Sequence, residues 1–310
     1  MAGAVTPFVT PAACGRVLSA VRADAPLVHC ASSAVSMPTV ADALLAAGAR
    51  PVMTVTQVEA PLVVTGAAAL LVNLGTLSEE AARAIVPTVA AARSAGLPWV
   101  LDPAAVGART PVRTRLARTL VAEHSPTVIR CNAAEAAVLA GTGTGGSGPD
   151  ARAGEAAARY DFEALDRAVP GIVCVTGEVD RIAGPAAPDL ARTGEARTGE
   201  AHTRTRVELR RGDPLLTRVT GTGCALGALS AACAAAAEHP LTGAVAAAAW
   251  MSLAGEWAAA RTRLPGSFRT ALLDGLASVE PADVEAALSG AGASIASTHP
   301  DSGAAPDAPA

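Results

Sequence analysis

Residues 69–103 read ALLVNLGTLSEEAARAIVPTVAAARSAGLPWVLDP. Two short apolar runs, ALLVNLG and PWVLDP, flank the longer alanine-rich segment SEEAARAIVPTVAAARSAG. Continuous apolar runs without polar alternation suit strands covered on both faces. The segment between them is long enough for a helix and stops at Gly96, which can take the left-handed turn that ends one. A strand, a helix and a strand in that order make a parallel pair joined by a helical crossover.

The same alternation runs outward in both directions. PLVHC (26–30), RPVMTV (50–55), PTVIRCN (126–132) and GIVCVTGE (171–178) repeat the strand pattern, and PTVADALLAAG (38–48) and NAAEAAVLAG (132–141) the helical one. Gly48 stops the first of these helices as Gly96 stops the second. The expected fold class is α/β: a mostly parallel central sheet flanked by helices on both faces. From Thr220 onward the pattern is almost wholly helical. One domain is expected over residues 1–289. Three segments differ in composition: the glycine-rich 141–154, the tandem ARTGE repeat within 191–206, and the tail 290–310. The first reads as a loose loop, the second as an enlarged hairpin loop or disordered excursion, the third as disordered.

Bulk composition narrows the function. The chain has 310 residues, of which 51% are hydrophobic but only 2% aromatic, so alanine, valine and leucine must fill its core. A net charge of −4 gives no basic footprint for nucleic acid. Every cationic side chain is arginine, and the absence of lysine removes both the Walker-type phosphate lysine and any lysine Schiff base. Six cysteines without metal-ligand spacing read as reduced thiols of a cytoplasmic protein. The N-terminus lacks the charged region of a signal peptide, and the alanine-rich stretch from Leu241 is too weakly apolar for a membrane span.

Chemistry is expected where the strands end, because open parallel sheets bind ligands beyond their carboxyl ends. There the chain places Asn73, then Asp102, then Arg130 to Asn132 with Glu135, then Thr176 to Glu178. Asn132 and Glu135 can form a helix cap, or can hold waters around Mg²⁺. Arg130 stays charged and can grip a phosphate. Downstream, VTGTGC (219–224) sets a glycine-threonine turn before a helix. Thr220, Gly221, Thr222 and Gly223 would offer backbone N–H groups to an anion at the positive end of the helix dipole. Cys224 in the first turn would have its thiol pKa lowered there and could take a proton from an alcohol. Cys233, nine positions on in the same alanine-rich run, fits a core residue instead.

These motifs resemble, in order, those of the hydroxyethylthiazole kinase family of the ribokinase-like superfamily. The resemblance runs from Pro26 to Ser267 through PLVHC, ADALLAAGARPVM, VNLGTL, LDP with VGA, VIRCNAAE, VTGEVD, PLLTRVTGTGC and PGSF. It implies ATP- and Mg²⁺-dependent phosphorylation of the primary alcohol of 4-methyl-5-(2-hydroxyethyl)thiazole, for thiamine salvage. It further implies ATP contacts at Arg130 and Thr176, and thiazole contacts at Met53 and Gly221. Cys224 stands where most sister families carry an aspartate base. Glu135 and Asn132 match the superfamily's NxxE, with Asp102 helping the metal and phosphates, all through water. Similar enzymes are homotrimers with active sites between subunits. The chain departs from the family at Ser32-Ser33, at Met37-Pro38, over residues 54–60, at Ala104-Ala105 and at Cys131. Most of these lie on the alcohol side. Two other readings fit parts of the pattern: a ribokinase-like kinase of another small alcohol such as hydroxymethylpyrimidine, and a non-catalytic nucleotide-binding homologue.

Overall fold

The computed structural model describes residues 8–143, 161–185 and 204–298. Nine strands form one sheet: β1 (Leu27–Ala31), β2 (Arg50–Val52), β3 (Ala69–Asn73), β4 (Trp99–Asp102), β5 (Val128–Asn132), β6 (Ile172–Thr176), β7 (Asp180–Pro185), β8 (Arg204–Leu209) and β9 (Ala293–Thr298). Their order is β2-β1-β3-β4-β5-β6-β7-β8-β9. Pairing is parallel from β2 through to β6 and antiparallel from β6 to β9. The mostly parallel sheet read from residues 69–103 is therefore the observed one.

Because side chains alternate along a strand, each buried strand serves two cores. Leu71, Val100, Val128, Ile172 and Cys174 face one side, against α1 (Pro11–Asp24), α2 (Met37–Ala47) and the late helices α8 (Thr222–Ala236), α9 (Pro240–Ala259), α10 (Pro265–Ser278) and α11 (Pro281–Ser289). Leu70, Val72, Leu101, Ile129 and Val173 face the other, against α4 (Glu79–Ser94), α5 (Pro111–His124), α6 (Ala133–Leu139) and α7 (Phe162–Ala168). A short α3 (Ala60–Val63) follows β2.

With so few aromatic residues, close approach replaces bulk. A Cβ on Gly243 of α9 would lie 2.6 Å from the Cys233 carbonyl of α8, so the two helices touch backbone to backbone there. Trp250 is fully buried and donates from Nε1 to the Leu276 carbonyl at 2.9 Å, leaving its polar end satisfied.

Two boundaries read from composition need correction. The sheet does not stop before residue 290, because β9 pairs with β8 from Leu209↔Ala293 to Arg204↔Thr298. Its Gly- and Ala-rich approach hides a strand that is held mainly by backbone bonds, with Ala293 and Ile295 packed on the core. Likewise, residues 204–206 of the 191–206 repeat segment belong to β8, which forms a hairpin with β7. The rest of that segment lies outside the described residues, as do 144–154 of the glycine-rich loop and 299–310 of the tail. Helices α1, α5 and α7 were not anticipated from the pattern. Among the described residues, no helix is long and apolar enough to cross a membrane.

Candidate active site

Four neighbouring strands, β3 to β6, end at the same edge of the sheet, and the N-terminus of α8 arrives over them. Asn73 and Asp102 are register partners at the ends of β3 and β4, and Asn132 and Thr176 at the ends of β5 and β6. The Asn73 Nδ2 donates to Asp102 Oδ2 at 2.7 Å and to Cys224 Sγ at 3.2 Å. Arg130 lies 3.7 Å from the same Asp102 oxygen and donates to Thr176 Oγ1 at 2.9 Å. Cys224, Asn73, Asp102, Arg130 and Thr176 thus form one connected group.

Gly221 is the N-cap of α8; its φ of 87° is left-handed and it offers no side-chain cap. A Cβ there would press on Thr39 at 3.1 Å, and Thr39 in turn accepts from Arg269 Nη2 of α10 at 2.6 Å. Gly223 is required for a different reason. Its absent Cβ would stand 2.5 Å from Arg130 Nη1, so only glycine lets the guanidinium lie against the turn. Thr222 turns its hydroxyl back to donate to the Leu216 carbonyl at 2.8 Å, leaving its backbone as what it presents forward. The GTGC turn is therefore an open helix start with a cation beside it, as its sequence suggested.

Cys224 does not behave as its position alone implies. Burial, and then the Asp102 charge, push the thiol up to about 11, against smaller opposing effects of Ser36, Arg130 and Asn73. The sequence expectation of a lowered thiol pKa is corrected: a helix start favours the thiolate, but a largely buried sulfur beside a carboxylate loses more hydration than the dipole returns. Cys224 is a neutral thiol near pH 7.

The two carboxylates are raised as well. Asp102 is fully buried, its Oδ1 has no partner among the described residues, and burial lifts its pKa against the pull of Arg130 and Asn73. Burial and the Asp102 charge bring Glu135 up to about 7. Burial disfavours the charge on Arg130, but the Asp102 and Glu135 carboxylates outweigh it and keep the guanidinium firmly protonated.

NxxE proves to be a complete capping box on α6. Asn132 Oδ1 accepts from Glu135 N at 3.0 Å, and Glu135 Oε2 accepts from Asn132 N at 2.9 Å. Glu135 Oε1 accepts from Ala105 N at 2.9 Å, so both of its oxygens are already engaged by backbone. Among the described residues, no three His, Cys, Asp or Glu side chains group as a protein-only metal site. Met53 stands apart. It follows β2, beyond β1 from the polar group, and packs on the margin of the α1–α2–α8 core. Sequence reasoning gave no role to Ser36, although its hydroxyl pulls the Cys224 thiol down against the effect of burial. No local motif marks it, since the contact joins the start of α2 to the start of α8.

A mostly parallel sheet with polar strand ends beneath an open, glycine-led helix start is an α/β fold with an anion-binding site built at the carboxyl ends of its strands. A sequence model of the Hydroxyethylthiazole kinase family matches residues 18–282, and the chain belongs to that family. It is 42% identical over 290 residues to the hydroxyethylthiazole kinase of Kineococcus radiotolerans, covering 93% of this chain and 98% of that one. It is 43% identical over 269 residues to the hydroxyethylthiazole kinase of Klebsiella pneumoniae, covering 87% and 96%. The solved hydroxyethylthiazole kinase protein from Pyrococcus horikoshii superposes with a TM-score of 0.74 at 29% identity, covering 92% of this chain and 98% of that one.

Proposed function

We propose that the chain phosphorylates the primary alcohol of 4-methyl-5-(2-hydroxyethyl)thiazole, with ATP as phosphoryl donor and Mg²⁺ as the accompanying cation, a step of thiamine salvage. The observation that carries this reading is the convergence of Cys224, Asn73, Asp102 and Arg130 on the open start of α8 in a member of this family. Phosphoryl transfer asks a protein chiefly for positioning and for stabilising charge on the moving group. The forward amides of Thr222, Gly223 and Cys224 supply fixed positive ends, and Arg130 adds a permanent charge beside them.

The alcohol is placed between Met53 and Gly221, with its hydroxyl at the Cys224 sulfur. In a loose transition state the alcohol has gained little bond to phosphorus, so its proton leaves late and a strong base is not required. A neutral thiol then serves to orient the hydroxyl. Arg130 and Thr176 face the nucleotide side, where the buried Arg130 Nε has no partner among the described residues. The donor set fits a hydrated Mg²⁺ held through its waters. The unpartnered Asp102 Oδ1 can accept from such a water, whereas Glu135 and Asn132 already spend their side-chain oxygens on the cap. Mg²⁺ bound with ATP would neutralise charge on the phosphates.

We place the active enzyme in the cytoplasm, in keeping with its six unpaired cysteines, and as a homotrimer with sites between subunits. Val35, Val58 and Leu62, which are 61%, 79% and 70% exposed, follow the adjacent strands β1 and β2 on the alcohol side and support that arrangement. Light scattering giving the mass of one chain would remove the trimer. The function is tested by ADP release with Mg-ATP and a panel of hydroxyethylthiazole, hydroxymethylpyrimidine, pyridoxal and ribose. Selective turnover of the thiazole is expected. Turnover of another alcohol moves the substrate, and ATP binding without any product makes the chain a nucleotide-binding homologue.

A further inference from the structure

Asn73 has every polar atom of its side chain spoken for. A backbone N–H can only donate, so the atom facing Gly75 N at 2.9 Å must be the amide oxygen. This settles which way the amide points. Its NH₂ end therefore faces Asp102 Oδ2 and Cys224 Sγ, one hydrogen to each. The clamp is tight. A Cβ on Gly75 would stand 2.8 Å from Asn73 Oδ1 and 2.8 Å from the Ser33 Cβ, so residue 75 has to be glycine for the amide to sit as it does. Ser33 holds the same turn from the other side, accepting from Thr76 N at 3.1 Å.

One consequence concerns the sulfur's own proton. Since Asn73 donates to Cys224, the S–H cannot point toward Asn73, and the Ser36 hydroxyl works with Asn73 in favouring the charged sulfur. Ser36 is itself buried and held by the Ser33 carbonyl and the Ser32 hydroxyl, each at 3.3 Å. We propose that Asn73 is a positioning residue which acts through Cys224: its oriented amide holds the sulfur, with the thiol proton turned away from β3, at the open start of α8, where the acceptor alcohol enters. This rests on the alcohol-kinase reading for its functional meaning, while the arrangement itself stands on the hydrogen bonds.

The test uses Asn73→Leu, which has the same branched shape, somewhat larger, and no donor, with Asn73→Asp as a second variant that keeps the oxygen facing Gly75 but removes the donor to sulfur. The first readout is alkylation of Cys224 by iodoacetamide, followed by mass spectrometry; the other five cysteines are buried. Loss of the donor that stabilises the attacking form of the sulfur is expected to slow alkylation at least about threefold in both variants. The second is steady-state kinetics: kcat falls by about tenfold or more, the KM for ATP stays within about twofold, and the loss shrinks to within about twofold in a Cys224→Ala background, which has no acceptor for the amide. Unchanged alkylation in a folded variant, or a kcat loss that persists in full in the Cys224→Ala background, overturns the proposal. Should Asn73→Leu fail to fold, Asn73→Asp alone decides it on the same criteria. A wild-type protein that turns over no alcohol but still shows slowed alkylation in the variants would sink the kinase reading and leave the Asn73 assignment standing.

Discussion

Ala105 carries a methyl group where the backbone turns left-handed, at a φ of 62°. That conformation costs a non-glycine residue about 1–2 kcal/mol, and it is retained at the turn whose N–H holds Glu135. The family pattern has glycine here, so Ala105→Gly is expected to raise stability by about 0.5–1 kcal/mol once the freer unfolded chain is allowed for, seen as a higher Tm in thermal melts. At Cys224 the expectation drawn from sequence reverses. A helix start alone suggested a stored thiolate, and Cys224→Ser would then have lost most activity. With the thiol pushed up to about 11, the serine variant is expected to keep kcat within about tenfold, and a loss near a thousandfold would restore the thiolate base. The types and order of these residues were legible in the chain, including Asn73, Asp102, Arg130 and Cys224. Their protonation was not, because it depends on burial and on neighbours such as Ser36 that come from distant segments.

At the scale of elements, the cap on α6 couples local structure to pH. Glu135 is raised from an ordinary carboxylate to about 7, so its contribution to stability is complete below about pH 4.5 and is lost as pH climbs through about 7. Glu135→Gln removes the titration along with one good cap acceptor. The melting temperature of the wild type is therefore expected to exceed that of the variant most near pH 5, with the gap narrowing toward pH 8. A gap that widens over that range would contradict the assignment. Strands β1 to β6 and the helices α2, α4 and α6 among them could be read from the chain, since continuous apolar runs alternate there with capped helices. α1 and α5 could not, because their mixed arginine and alanine faces carry weak periodicity. β9 escaped because backbone pairing with β8 makes few demands on side chains.

For the molecule as a whole, the sheet absorbs what looked in the sequence like an intrusion. Pro185 and Arg204 are register partners, so the ends flanking residues 186–203 already lie side by side. Replacing those residues with an Asn-Gly turn is expected to leave Tm within about 2 °C and kcat within about twofold, because a two-residue turn suffices to close such a hairpin. A protein that loses ATP turnover on this change would give the segment a part in the nucleotide site. The pairing of β7 with β8 was foreseen from the family pattern, but not the final strand that extends the sheet. The first helix also meets the last ones. Arg22 of α1 donates to the carbonyls of Ala277 and Val279 at 3.1 and 2.6 Å, and a Cβ on Gly15 would lie 2.5 Å from the Glu285 carboxylate of α11. During synthesis, then, α1 leaves the ribosome well before α11 and must wait, one apolar face bare, for partners made about 255 residues later. A chain stopped at residue 264 is accordingly expected to be cut within α1 by a protease that spares the same helix in the full-length protein, and to depend on chaperones that shield such a face until translation ends.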